Sequence, residues 1–324
     1  MVLLITIVLV SFVIGKVEVS FGDLITVLSA RVRGASHDLP GVIDTVIFQI
    51  RMPRVAAAII IGAALAGAGA TYQSLFRNPL ASPDILGVSA GAGLGAALAI
   101  AFSLPPGAIQ LMAFAFGLAT VFVVYLISNS VRGHDPLLVL VLTGVVIGTL
   151  AGSCISLLKY LADPYDKLPT ITFWLLGSLS VVNYVELVVT LVAVFIGIIP
   201  LYLLRWRMNV MSIGDEEARA LGVPTGLLRW LFIGAATLIT AAAVSISGII
   251  GWVGLMIPHI ARLLVGPDFS KLLPTSMLLG AVYLLSMDNV ARTAAEIEIP
   301  LGILTAFFGA PFFLWLLAWS KQGQ

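Results

Sequence analysis

From Ile85 to Val131 the chain runs without one charged side chain, and only the turn Pro105-Pro106-Gly107 divides the apolar run. Such a stretch has few places to go. A transmembrane helix needs about 20 consecutive apolar residues. In a bilayer only elements that satisfy their own backbone hydrogen bonds are stable, so windows of this kind read as spanning helices. Further charge-free windows lie at Val55 to Phe76, Pro136 to Leu158, Leu187 to Leu204, Trp230 to Pro258, Leu272 to Met287 and Ile299 to Ser320. The Trp230 to Pro258 window is too long for one crossing and contains Gly248, Gly251 and Gly254, which predicts a turn near Ser247. Met1 to Gly15 lacks a basic leader and a clear small-residue cleavage site, so it reads as a retained first span rather than a signal peptide. The expected fold is all-α: a polytopic bundle of about ten transmembrane helices, residues 1–324 forming one domain with both termini on the same side.

Composition closes the alternatives. Hydrophobic residues make up 60% of the chain and charged residues 10%, with mean hydropathy +1.10, whereas soluble domains are about a quarter charged. A net charge of +1 leaves no polyanion-binding tail, so nucleic acid is not an expected partner and membrane lipid is. The single cysteine, Cys154, lies in the apolar stretch Gly148 to Leu158, which excludes a disulfide framework and a multi-cysteine metal site. His259 stands between Pro258 and Arg262 with no second ligand at metal-binding spacing, and reads as structural. No cofactor is expected. Glycines four residues apart, Gly87, Gly91 and Gly95 in one window and Gly144, Gly148 and Gly152 in another, predict close helix packing. Ile61-Gly62-Ala63-Ala64 echoes Ile233-Gly234-Ala235-Ala236, the trace of a repeat of the second to fifth spans by the seventh to tenth.

Three polar features carry function. The first is the interruption 205–229, whose centre reads Gly214-Asp215-Glu216-Glu217-Ala218-Arg219-Ala220-Leu221-Gly222-Val223-Pro224. Acids in a first turn suit the positive end of a helix dipole; Gly222 can close the helix in the left-handed conformation and Pro224 stops it. Ala218, Leu221 and Val223 give it a small apolar face. The chain has no G-x-x-x-x-G-K-[ST] phosphate loop, so nucleotide hydrolysis, if used, belongs to another polypeptide, and this short helix reads as a peg for it. The second feature is Arg51-Met52-Pro53-Arg54, with Arg292 between the last two spans. Arginines at a helix N-terminus oppose the dipole, and the lysine and arginine count splits nine to eight across the bilayer, too evenly to orient the bundle. Setting these three aside makes it nine to five, with the termini inside. Docking of an acidic partner is the expected use of the three. The third is Phe76-Arg77-Asn78-Pro79-Leu80-Ala81-Ser82-Pro83-Asp84: it is either an ordinary cytoplasmic loop or broken backbone at membrane depth, which is tolerated only where it is buried in protein or lines a wet cavity.

These segments resemble the FecCD-type permeases of ABC importers, which serve iron-siderophores, haem, vitamin B12 and in some members molybdate. The resemblance covers nearly the whole chain. It is carried by Arg51 to Arg54, Gly62-Ala63-Ala64-Leu65-Ala66, Arg77 to Gly87, Gly214 to Gly222, Gly254-Leu255-Met256-Ile257-Pro258-His259-Ile260-Ala261-Arg262, Ile299-Pro300-Leu301-Gly302 and Gly309-Ala310-Pro311. It implies a type II importer permease of ten helices in a bacterial cytoplasmic (inner) membrane, paired with a second permease subunit, here a homodimer. Two separate ATP-binding subunits would sit on the cytoplasmic side. It also implies that Gly214 to Gly222 is the coupling helix, that Arg51, Arg54 and Arg292 dock a periplasmic or lipid-anchored substrate-binding protein, and that Asn78, Pro79 and Leu80 form a cytoplasmic gate. The wording of 78–87 is most like ferric-siderophore permeases. The chain itself is then not an enzyme. A competing class, the ion-coupled secondary transporter, would carry acidic or histidine relays within its spans, and Glu186 and Asp288 fall near predicted helix ends instead.

Overall fold

The computed structural model describes residues 1–36, 38–131 and 136–320. The described residues form helices, turns and loops with no strand. In chain order the α-helices are α1 (Val2–Val13), α2 (Phe21–Arg33), α3 (Gly41–Asp44), α4 (Met52–Leu75), α5 (Val88–Ala101), α6 (Pro106–Ser130), α7 (Pro136–Leu161) and α8 (Lys167–Leu176). They continue as α9 (Tyr184–Leu203), α10 (Arg205–Met211), α11 (Asp215–Ala220), α12 (Thr225–Ser247), α13 (Val253–Val265), α14 (Phe269–Thr293) and α15 (Leu301–Ser320). A π-helical turn, Thr45–Arg51, joins α3 to α4 in one rod. A 3-10 turn, Pro83–Leu86, precedes α5.

Among the described residues six helices are long and apolar enough to cross a bilayer: the Gly41–Leu75 rod, α6, α7, α9, α12 and α14. Four shorter apolar helices, α1, α5, α13 and α15, occupy the remaining windows. The bundle expected from charge-free windows is therefore present, and the turn predicted near Ser247 falls there, with Gly248 capping α12 at φ 67°. The windows did not reveal α2, α8 and α10. Their apolar residues are diluted by polar ones, and a reading keyed to charge-free runs passes over them. α2 had a local signature nonetheless: Ser20 and Asp23 form a reciprocal capping box, and Gly34 closes the helix in the left-handed conformation.

The rod ending in α4 is the axis of the bundle. It packs antiparallel on α14 so closely that a Cβ on Gly62 would lie 2.3 Å from the Gly280 carbonyl oxygen. α12, α13 and α9 complete the sheath around it. Antiparallel packing fixes two ends. Arg54 lies beside Asp288 near the C-terminus of α14; 24 residues of helix, about 36 Å at 1.5 Å per residue, separate Arg292 from Asp268 at the other end. Asn209 of α10 grips that second end, donating from Nδ2 to the Asp268 carboxylate at 2.6 Å and accepting the Phe269 N–H at 2.7 Å. α11 follows α10, so the Asp215–Ala220 stub and the three arginines occupy opposite ends of the molecule.

The glycine rows pack helices except at Gly152, which faces open space. Gly91 and Gly95 lie against Phe116 and Met112 of α6, and Gly144 meets the backbone of Ile85 and Leu86. The echoed tetrapeptides, by contrast, sit in different surroundings: Gly62 is clamped by α14, whereas a Cβ on Gly234 would touch only Trp230.

Candidate functional site

At the arginine end, the three guanidinium groups turn inward. Arg51 is buried and donates to the carbonyls of Phe12, of Val13 at 3.3 Å and of Val17 at 2.5 Å. These are the orphan acceptors that the C-terminus of α1 and the following loop leave unpaired. Arg54 is also buried. Its Nη1 and Nη2 grip Glu298 in a bidentate pair at 2.9 and 2.7 Å, while Nε donates to Asp288 at 2.8 Å. Arg292 lies 3.3 Å from the other oxygen of Asp288, and donates to the Ser11 and Ile14 carbonyls and to Asn289. Asp288, wholly buried, is thus held between two cations; isolated at that depth its charge would be very costly. Burial pushes the Glu298 carboxyl up, but its bonds to Arg54 outweigh this and hold it below the usual glutamate value. A cavity of about 210 Å³ opens beside the network, lined by Lys16, Ile50, Arg51, Arg54, Arg292 and Glu298 among others.

The sequence reading gives Arg51, Arg54 and Arg292 to docking of an acidic partner; in this conformation all three are engaged by groups of their own chain, with Arg292 the most open. The reason is long range. Glu298 stands 244 residues from Arg54, and nothing local marks it as a partner. The acid-rich connection Glu296-Ile297-Glu298 after Arg292 was the available signal.

The network reaches further. Ser178 Oγ donates to Glu298 at 3.1 Å, the Ser178 N–H bonds the Ser247 carbonyl at 2.8 Å, and the Leu301 N–H bonds the Gly177 carbonyl at 2.9 Å. The ends of α8 and α12 and the start of α15 are so clasped backbone to backbone, with the glycines Gly177, Gly248 and Gly302 at the contacts. Beyond the clasp, Trp252 holds φ 69°, unusual for an aromatic residue. Its Cβ occupies the space that a side chain at Gly309 of α15 would take.

At the opposite end, α11 is present as the sequence predicts, six residues with acids at Asp215, Glu216 and Glu217, closed by Gly222 at φ 75°. The N–H groups of Gly222 and Val223 return to Arg219 and Ala218. Asp215 pairs with Arg229, and Arg219 donates to Thr225 at 3.0 Å, so the stub is fastened to α12. Its faces differ from expectation. Ala218 and Val223 point into the protein, while Leu221, Glu216 and Glu217 are exposed. The small apolar face is divided, because Ala218 and Val223 pack into the main core.

Asn78, Pro79 and Leu80 follow α4 at this same end and are exposed. Arg77, at φ 52°, takes the left-handed position that glycine usually fills after a helix; its N–H returns to Ser74 and that of Asn78 to Gln73. Asn78 Oδ1 then accepts the Leu80 N–H at 2.9 Å, making a tight turn. From there the chain climbs. Asp84 shares a narrow crevice with Leu65, Ser89, Thr240 and Trp252, and Ser89 donates to its carboxylate. Leu65 is midway along α4, so Asp84 is a carboxylate at mid-depth, where ionisable groups tend to have a function. The expectation that acids stay near helix ends holds for Glu186, which caps α9 with Asn183, and overlooks Asp84.

Against known proteins, the model of the FecCD transport family matches residues 3–319. The molybdate import system permease protein MolB of Haemophilus influenzae is 41% identical over 99% of this chain and 94% of its own length. An iron chelatin transport system permease of Helicobacter pylori is 44% identical over 85% of this chain and 83% of its own. Among solved structures, a metal-chelate type ABC transporter in an inward-facing conformation superposes with a TM-score of 0.88 at 39% identity, covering 98% of this chain and 96% of that one. A family match along almost the entire length, relatives above 40% identity and a shared bundle agree: the chain belongs to the FecCD transport family of integral membrane permeases.

Proposed function

We propose that this chain is the permease subunit of a binding-protein-dependent ABC importer in a bacterial cytoplasmic membrane, carrying a ferric siderophore inward. The observation that carries the reading is the placement of α11 and the arginine network at opposite ends of α14, about 36 Å apart by helix rise. One end meets a substrate-binding protein and the other a pair of separate ATP-binding subunits. A second copy of the chain lines the path with the first, since closed twofold assemblies are the commonest.

In this reading α11, Gly214 to Gly222, is the coupling helix, and its exposed Glu216, Glu217 and Leu221 enter a groove on the ATPase. Its fastening through Asp215 to α12 and through Asn209 to α14 lets ATPase closure move helices as rigid bodies. Asn78, Pro79 and Leu80 gate the cytoplasmic mouth. Docking uses the arginine end: Arg292, at the rim of its cavity, meets partner acids directly, while Arg51 and Arg54 act through the shape they impose on the surrounding loops.

Ferric siderophore as cargo rests on the iron chelatin relative and on the 78–87 segment. The molybdate permease that matches over 99% of the chain favours a second reading, import of that oxyanion by the same machinery. Proteoliposomes holding the chain and its ATP-binding subunit decide. ATP-dependent accumulation of a ferric siderophore delivered by the binding protein is expected. Accumulation of molybdate alone would select the second reading, and uptake driven by a proton gradient without ATP would overturn both in favour of a secondary transporter.

A further inference from the structure

α2 carries two apolar stripes and the fold uses one. Leu24 and Val27 are buried against Val19, Val46 and Ile47, with Phe12, Leu39, Ile43 and Phe48 around them, and Ala30 is buried on the same side. The other stripe is Phe21, Ile25, Leu28 and Val32, spaced i, i+4, i+7 and i+11, and these side chains are 52, 53, 38 and 88% exposed. A helix lying on a protein surface under water carries polar residues on its outer face. Here the hydroxyls beside the stripe are withdrawn, Thr26 bonding the Gly22 carbonyl at 2.9 Å and Ser29 that of Thr26 at 3.0 Å. Arg33 ends the helix, and Lys16 stands before it.

The stripe continues an apolar surface that begins on α1. Leu3, Ile5, Leu9 and Val10 are exposed along α1, and Ile14 and Val17 carry the surface across the loop to Phe21. α1 lies along one side of α14, its Ser11 bonded to Asn289 and Arg292, so its open side faces the hydrocarbon that surrounds the bundle. The partners of α2, Val46 and Ile47, lie about one turn of the rod beyond Arg51. That places α2 at the bilayer margin, at the arginine end.

We propose that α2 is an interfacial helix whose Phe21, Ile25, Leu28 and Val32 insert into the lipid leaflet at the arginine end, with Arg33 at the level of the lipid phosphates, while Lys16 is turned to the Glu296 carbonyl. An apolar face with a cation at its margin is the pattern of helices that lie in the interface plane. The proposal needs only that the bundle is membrane-embedded, and is independent of the import reading. It ties the Arg51 end of the rod to the leaflet, because the buried side of the same helix grips Val46 and Ile47.

The test uses the full chain with Cys154→Ser, reconstituted in phosphatidylethanolamine–phosphatidylglycerol vesicles. Ile25→Cys, Leu28→Cys and, as an exposed polar control, Glu18→Cys are each labelled with an environment-sensitive fluorophore. Because all three positions are exposed, labelling leaves the core intact. Expected are blue-shifted emission and at least about twofold quenching by shallow brominated lipids at positions 25 and 28, with water-like emission at 18. Water-like emission at 25 and 28 in vesicles would overturn the proposal. So would shielding that appears only when a soluble partner protein is added, or that tracks chain concentration in detergent, since the stripe would then belong to a protein interface.

Discussion

The two ends of the bundle treat charge in opposite ways. At the arginine end Arg54, Arg292, Asp288 and Glu298 turn inward and neutralise one another across the rod, α14 and the α14–α15 connection, while Arg51 is spent on backbone carbonyls at the end of α1. At the stub end one pair, Asp215 with Arg229, is spent on fastening, and Glu216, Glu217 and Arg219 face outward. Buried charges with fixed partners hold a shape, whereas exposed charges on a short, rigidly anchored helix are available to a second protein. The same residue types therefore act as a fastening at one end and, in the function proposed above, as a handle at the other.

The largest effect should come from Arg54→Ala. It leaves Asp288 with one cation and Glu298 with only the Ser178 hydroxyl, and removing one member of a buried ionic set costs about 3–5 kcal/mol. Thermal unfolding of the purified chain in detergent reads it; a change under about 0.5 kcal/mol would mean that the network contributes no fastening. Ala218→Leu comes next. Ala218 is the fully buried residue on the inner side of the stub, so the extra volume should cost about 1–3 kcal/mol by overpacking and displace α11, a loss visible in stability as well as in uptake.

Glu298→Gln sharpens the comparison by pH. The carboxyl is held below its usual value in the folded chain, so its contribution is present above the unfolded glutamate pKa of about 4.3. That contribution is lost as pH falls through the lower folded value. The wild type should thus exceed the variant by about 1–3 kcal/mol near neutrality, the scale of a hydrogen bond to a charged group. The gap should narrow once pH drops below about 4; a gap independent of pH would contradict the charged pair. Smallest for stability, and most telling for function, is Glu217→Lys. An exposed substitution should shift stability within about 0.5 kcal/mol while abolishing ATP-driven uptake. Unchanged uptake would remove the handle from the comparison.

What was readable depended on range. The Gly248 turn, the Gly222 cap and the acids of Asp215–Glu217 are local, decided within a few residues, and the sequence announces each. The spanning windows were equally open, since excluding charge from hydrocarbon is a property of each residue. The partner of Arg54 was not open, because a guanidinium is satisfied by whichever carboxylate folding brings within reach. Asp84 was overlooked for a related reason. It ends a proline-rich interruption whose sequence fits an ordinary loop as well as a break at membrane depth, and the close approach of Gly87 to Gly144 and Gly148 decides for depth.

By itself, then, the sequence determined that this protein lives in a bilayer, how its apolar runs divide into spans, and where its capped acidic stub begins and ends. These follow from solvation and local backbone preference, which are additive along a chain. Tertiary structure alone decided that the arginines face inward, that Ala218 is covered while Leu221 is not, and that one stripe of α2 is left without a protein partner. Burial and pairing depend on distances between segments up to 281 residues apart, and no single segment encodes them.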